Sequence, residues 1–397
     1  MYIAEKNTHT EDGQNMLKNN TKVGLLQDLH IGVRGSSVFR NYIKSYLIDY
    51  AMPYFHSQGI TQILQGGDLM DSRVRLLAKD RGWMVKELIP KLKEFGMTWH
   101  VLSGNHDIGN LDDLELSWVD WIAAESDGCI VSYNKPQDLE IMSTTFSMIP
   151  WICKANYDET LDYIENTDAT VAIMHAELAG FKMAKGNLCK KGTIDQGLLS
   201  RYENVYSSHF HQESRAGNIH YLGMNYHTDW GSVESDPVKG LYTYDTLTGV
   251  LDFKENPVGM SLFTELNYNY QEIAASRKGK LWNDVDYLEN ELNLKDKVIR
   301  IIITDRSNAK HYASFVKALR SVQCINYTII DTTQSIELEA EEVDAKDFKV
   351  SPIEILLDKI NTIEYSDCDD DKEIRYEAIG NKLKSVYNRC QEESNLV

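Results

Sequence analysis

Five short segments of the chain carry the side chains that could hold metal ions and hydrolyse an ester. They are Asp28-Leu29-His30; Gly66-Gly67-Asp68 with Asp71 and Arg73 close behind; Gly104-Asn105-His106-Asp107; His175 after Ala172-Ile173-Met174; and His209-Phe210-His211 after Ser208. Imidazoles, carboxylates and one amide suit Mn²⁺, Fe or Zn²⁺ better than Ca²⁺, which prefers an all-oxygen shell. One carboxylate, Asp68, can bridge two divalent ions roughly 3.5–4 Å apart. An Asp-x-His or His-x-His at a strand end is expected to send both side chains to one face, because alternate strand residues share a face. Two cations so held would acidify a water toward a pKa of about 7 and neutralise charge on a phosphodiester under attack. Each segment alone has a plainer reading: a turn for the glycine pair, an Asx-type turn for Gly-Asn-His-Asp, a satisfied buried histidine for His175. All five in this order point to one two-metal site.

The elements around them explain how they could meet. VGLLQ (23–27), ITQILQ (60–65) and TWHVLS (98–103) are predicted buried strands, separated by helical stretches at 39–56 and 76–95. That is a βαβ rhythm with mostly parallel strands. Further strands are expected at 145–150, 170–174, 204–208, 219–222, 241–245 and 250–253. The candidate ligands fall where predicted strands stop, and sites in open α/β sheets form beyond the carboxyl ends of strands. After about residue 265, VIRIIIT (298–304), a helix at 309–322 and INYTIID (325–331) read as a compact βαβ unit. The expected domains are a frayed extension over 1–21, a main α/β domain over 22–265, a small domain over 266–345 and a helical tail over 346–397.

Composition excludes several classes. The 397 residues are 42% hydrophobic and 25% charged, an ordinary globular balance. No run of eighteen apolar residues exists to span a membrane. The polar first twenty residues lack a signal-peptide core, so a cytoplasmic protein is expected. Met16 precedes the first strand, which leaves the native start open. Six cysteines without a CxxC pair read as free thiols. The net charge of −19 argues against broad adhesion to polyanions. More than half of that charge lies in residues 331–373, with fifteen acidic and four basic residues.

The ordered motifs D-x-H, GGD, GNHD, H and (G/S)H-x-H resemble those of calcineurin-like metallophosphoesterases over about residues 22–235. QDLHIGVRG, GGDLMDSR and YLGMNYHTDWG make the chain most similar to the SbcD-type recombination and double-strand-break-repair nucleases, phage members above all. The resemblance implies an α/β fold: a β-sandwich flanked by helices, with a small βαβ capping domain that binds DNA and a helical C-terminal tail. It assigns Asp28, His30, Asp68 and His211 to one metal and Asp68, Asn105, His175 and His209 to the other. His106 becomes the catalytic histidine, acting on the leaving oxygen as general acid, with Asp107 holding its imidazole. Mn²⁺ is the expected ion, with Mg²⁺, Fe or Zn²⁺ as alternatives. Two departures stand out: Asp71 occupies a position where cellular members usually have histidine, and Ser208 replaces the usual glycine.

The implied activity is 3′-to-5′ exonuclease and single-strand endonuclease action on DNA in recombination, repair and replication. Lys182, Lys185, Lys190 and Lys191 lie in an acid-free stretch after His175 and could contact phosphates, or merely solvate a loop. Arg34, Arg73 and Arg75 could grip the backbone, or pair with nearby acids. Residues 353–363 and 374–390 carry helical apolar stripes on either side of SDCDDDKE (366–373). In the family resembled, such a tail docks on the coiled coil of an SMC-like ATPase, in a heterotetramer containing two nuclease copies. The alternatives are a metallophosphatase or cyclic-nucleotide phosphodiesterase acting on a small substrate, and a non-catalytic scaffold on the same fold.

Overall fold

The computed structural model describes residues 21–183, 187–276 and 279–333. The expected extension, Lys185, the end of the small domain and the whole helical tail lie outside these residues. Seventeen strands are described: β1 (Lys22–Leu26), β2 (Gln62–Gln65), β3 (Thr98–Leu102), the hairpin β4 (Ile108–Asn110) and β5 (Asp113–Ser117), β6 (Ile130–Tyr133), β7 (Gln137–Ile141) and β8 (Thr144–Ile149). They continue with β9 (Val171–His175), β10 (Asn204–Ser208), β11 (Ser214–Ala216), β12 (Ile219–Tyr221), β13 (Gly240–Asp245) and β14 (Leu251–Glu255). The last three are β15 (Phe263–Asn269), β16 (Val298–Asp305) and β17 (Asn326–Asp331).

Two six-stranded sheets form the body, in the orders β14-β13-β1-β2-β3-β6 and β11-β12-β10-β9-β8-β7. Strands β1, β2, β3 and β6 are parallel, as are β12, β10, β9 and β8; antiparallel strands close every edge but that of β6. Period-two alternation sorts the side chains. Val23, Leu25, Leu64, Leu102, Phe146, Val171, Ile173 and Tyr206 form the layer between the sheets. Leu26, Ile63, Trp99 and Val101 face the helices on one outside, and Ala172, Met174 and Val205 those on the other. The outcome is the expected β-sandwich flanked by helices.

Both long helices of the first half are interrupted in the same way. Residues 37–57 contain a π turn at Tyr46–Ala51, and residues 78–94 contain one at Met84–Leu88. Each lies just before a proline, Pro53 or Pro90. A proline lacks the N–H for its turn, and the wider turn accommodates the unmet carbonyl. Beyond the sandwich, β15, β16 and β17 form an all-parallel sheet under the helix Ala309–Leu319. The βαβ reading thus gains β15, whose burial alternates too weakly to mark it in the sequence. Cys129, Cys153, Cys189 and Cys324 are free thiols. Among the described residues no helix is long and apolar enough to cross a membrane.

Candidate metal centre

The carboxyl ends of β1, β2 and β3 in one sheet and of β9 and β10 in the other meet at one rim, and the loops leaving them are tied together. Leu29 and His30 donate their amides to the carbonyl of Asp68, both at 3.0 Å, and Asp71 N–H donates to Ile31 O. His106 N–H donates to Asp68 Oδ1 at 2.8 Å, and His209 N–H to Asp28 Oδ1 at 2.9 Å. Two glycines permit this approach. A Cβ on Gly104 would lie 2.2 Å from the Asp68 amide nitrogen, and one on Gly67, at φ +103°, 2.5 Å from His175 Nδ1.

Strand alternation does not aim the ligands, contrary to the sequence expectation. Asp28 and His30 lie beyond the end of β1, and His209 and His211 beyond the end of β10. The backbone instead turns left-handed at His30 (φ +46°), Asp68 (φ +53°) and His209 (φ +89°). Such backbone costs about 1–3 kcal/mol per residue and is held by its surroundings, a pattern concentrated at functional sites. His209 and His211 consequently serve opposite halves of the site rather than one face.

The result is two clusters of acceptor atoms on either side of Asp68. On one side, His30 Nε2 lies 3.0 Å from His211 Nε2 and 3.8 Å from Asp68 Oδ2. Asp28 Oδ2, buried beside them, has no hydrogen-bond partner. On the other side, Asn105 Oδ1 lies 3.0 Å from His175 Nε2 and 2.9 Å from His209 Nδ1, with Asp68 Oδ1 3.5 Å from His175 Nε2. His175 Nδ1 faces the Gly66 carbonyl at 2.9 Å, which makes Nδ1 its donor and leaves Nε2 as the nitrogen that a cation would take in place of a proton. Asp28, His30 and His211, and likewise Asp68, His175 and His209, bring ligand atoms within 4.8 Å of one another. Converging lone pairs with an orphaned carboxylate oxygen fit a pair of cations.

Electrostatics point the same way. Burial holds the imidazoles of His30 and His211 below the ordinary histidine range, so both are neutral acceptors. Burial alone would raise the Asp68 carboxyl, but His175, His30 and His106 outweigh it and hold it below the usual range. Burial would lower His175, yet the charge and hydrogen bond of Asp68 push it up to about 9. The metal-free site therefore draws a proton to the place where a cation would neutralise Asp68.

His106 lies edge-on to His30 with ring centroids 4.8 Å apart, and its Nδ1 meets the main-chain carbonyl of Asp71 at 2.6 Å. Asp107 does not hold this imidazole, contrary to expectation. Its buried carboxylate accepts the amides of Leu69 (3.1 Å), Met70 (2.8 Å) and Gly104 (2.9 Å), splicing the second and third loops together. A buried carboxylate needs such donors, and the side chain of the adjacent His106 points elsewhere. His30, Asp71 and His106 also lie within 4.8 Å of one another as a third group.

The cationic candidates scatter. Arg73 Nε donates to the carbonyl of Asn105 at 2.6 Å, against the site. Arg34 is exposed at φ +57°, with its guanidinium 5.3 Å from the Phe39 ring centroid, and Arg75 is exposed. Lys182, Lys190 and Lys191 are exposed on the loop leaving β9, where Lys182 pairs with Leu188 in an isolated bridge.

Several residues of the site escaped sequence reasoning. Glu177 Oε1 lies 3.1 Å from His209 Nε2, and this hydrogen bond holds its carboxyl below the usual range. The buried Lys239 donates to the carbonyl of His211 at 3.0 Å. Tyr226 Oη donates to Leu29 O, and Asn225 Oδ1 accepts the amide of Gln27 at 2.8 Å. Asn225 and Tyr226 fall in YLGMNYHTDWG, a segment already notable; nothing marked Lys239. Ser208, in the glycine position, hydrogen-bonds Gln27 and is fully buried.

No protein-family model matches the chain. It is 28% identical over 359 residues to exonuclease subunit 1 of Enterobacteria phage T4, covering 89% of this chain and 97% of that protein. It is 23% identical over 227 residues to a putative phosphoesterase of invertebrate iridescent virus 6, covering 55% of this chain and 74% of that protein. The likeness to the phage subunit extends over most of the chain, and the mixed α/β architecture is consistent with a metallophosphoesterase fold.

Proposed function

We propose that this chain is a dimetal phosphodiesterase that cleaves DNA, as the nuclease subunit of a recombination and repair complex. The observation that carries the reading is the pair of acceptor clusters divided by Asp68, at the carboxyl ends of both sheets. Asp28, His30, Asp68 and His211 would hold one ion, and Asp68, Asn105, His175 and His209 the other. When bound, two divalent ions, Mn²⁺ first among them, supply Lewis-acid activation of water and neutralise charge on the phosphodiester. His106 keeps Nδ1–H on the Asp71 carbonyl. That leaves Nε2, which in the imidazolium form would deliver its proton to the departing oxygen as a general acid and return to a neutral imidazole. Arg73, fixed on the Asn105 carbonyl, would meet a phosphate flanking the scissile bond.

DNA is favoured over a small substrate because the similarity to a phage exonuclease subunit spans nearly the whole chain. Digestion from 3′ ends and nicking of single strands are the expected modes. The test uses the purified chain with Mn²⁺ on linear duplex, circular single strands and a nitrophenyl diester, with and without chelator. Mn²⁺-dependent cleavage of both DNAs is expected; turnover of the diester without DNA cleavage overturns the reading.

The partner belongs to the same proposal: an SMC-like coiled-coil ATPase, bound through the apolar stripes at 353–363 and 374–390, with two nuclease copies in the complex. Deleting residues 350–397 is expected to leave Mn²⁺-dependent cleavage of short DNA intact and to abolish both co-purification with the ATPase and stimulation by it. Co-purification at wild-type affinity after the deletion disproves this route.

A further inference from the structure

His209 offers its two ring nitrogens to different partners. Nδ1 lies 2.9 Å from Asn105 Oδ1 on the inner side, and Nε2 lies 3.1 Å from Glu177 Oε1 on the outer side. The aromatic neighbours of the ring, Trp151, His175 and Phe210, each with a centroid 5.2 Å away, give it shape but no polar partner for Nε2. A neutral imidazole has one N–H, and which nitrogen carries it is set by the hydrogen bond available to the other side. Without Glu177, an Nδ1–H could settle on Asn105 Oδ1, and the lone pair would then point outward, away from Asp68. A carboxylate can only accept, so Glu177 claims the proton for Nε2 and turns the Nδ1 lone pair inward.

Glu177 is also held in place for this task. Its main-chain carbonyl accepts Thr193 N–H at 2.8 Å, pinning the two ends of the lysine-bearing loop together two residues after His175. The would-be Cβ of Gly192 comes within 2.8 Å of the Ala179 amide nitrogen, so the closure leaves no room for a side chain there. The other histidine of the same half-site, His175, is oriented by a carbonyl, that of Gly66. His209 depends on a side chain instead, which can be substituted.

We propose that Glu177 is the positioning residue of His209, accepting its Nε2–H and thereby aiming Nδ1 as a ligand for the ion shared with Asn105 and His175. The proposal rests on the dimetal reading above and deepens it. An exposed Glu–His contact of purely electrostatic origin would contribute little and would not select a ring tautomer. An outer carboxylate on a metal-ligating histidine typically governs affinity by about 10–100-fold.

The test compares the full-length protein with Glu177→Ala and Glu177→Gln. Long-range ¹H–¹⁵N spectra of the metal-free histidines, with the His209 signal identified from a His209→Gln sample, read the tautomer; Mn²⁺ titration by calorimetry reads the affinities. The wild type should show His209 as Nε2–H and two binding events. Glu177→Ala should lose that tautomer preference and weaken one event by about 10–100-fold while sparing the other. Glu177→Gln, whose Oε1 still accepts, should keep the tautomer and most of the affinity. An alanine variant with tautomer and both affinities unchanged overturns the role of Glu177 and leaves the dimetal reading standing. A glutamine variant that behaves like alanine overturns the hydrogen-bond account. Fewer than two Mn²⁺ events in the wild type overturns the dimetal reading itself, and this inference with it.

Discussion

Replacing Asp68 with asparagine is expected to remove both metal ions at once and with them all hydrolysis. The carboxylate is buried between the clusters, with Oδ2 toward His30 and Oδ1 toward His175. Oδ1 also accepts the amide of His106, so the asparagine oxygen should stay on that side and preserve the loop. Its NH₂ group would then face His30 and His211, a donor where that cluster needs an acceptor. The other half would retain a neutral oxygen in place of a charge. Both affinities should therefore fall by more than the roughly 10–100-fold typical of an outer partner. His30→Ala, by contrast, removes a ligand from one cluster and should weaken mainly one ion. Metal counting by native mass spectrometry or anomalous scattering reads the difference, and equal losses in the two variants would refute the bridge.

The second large effect is expected at His106. Changing it to glutamine or serine should abolish nuclease activity while both metals remain bound, since a positioned general acid typically contributes 10²–10⁴-fold. The structure gives this experiment a sharper edge, because His30, Asp71 and His106 form a third group close enough to hold an ion. If His106 were a ligand there, its loss would remove a metal together with activity. The expected result is activity lost and two ions counted. Full occupancy with near wild-type turnover sinks the catalytic assignment, and loss of one ion moves His106 into the ligand set. Because Asp107 holds the loops rather than the imidazole, Asp107→Asn should instead act through the amides of Leu69, Met70 and Gly104. Its signature would be lowered thermal stability rather than a selective loss of proton delivery.

What the sequence determined by itself is the set of groups and the order of the scaffold. Buried strands at 23–27, 60–65 and 98–103 announce themselves as apolar runs between amphipathic helices, because burial selects residue types at fixed periods. Metal ligation draws on a few side-chain types, so five motifs in order named the residues that the fold then gathers at one rim. Orientation, however, is a tertiary matter. Alternation along a strand could not foresee that His30, Asp68 and His209 sit in left-handed turns, since the turns exist only because the loops hydrogen-bond one another. Adjacency misplaced Asp107 for the same reason: its donors come from residues 69, 70 and 104, and only folding brings the second loop beside the third. Glu177 and Lys239 carry no local mark either, because their relation to His209 and His211 spans 32 and 28 residues. A one-dimensional pattern records what each residue can do; which nitrogen faces which oxygen is decided by loops that meet only when the two sheets close on each other.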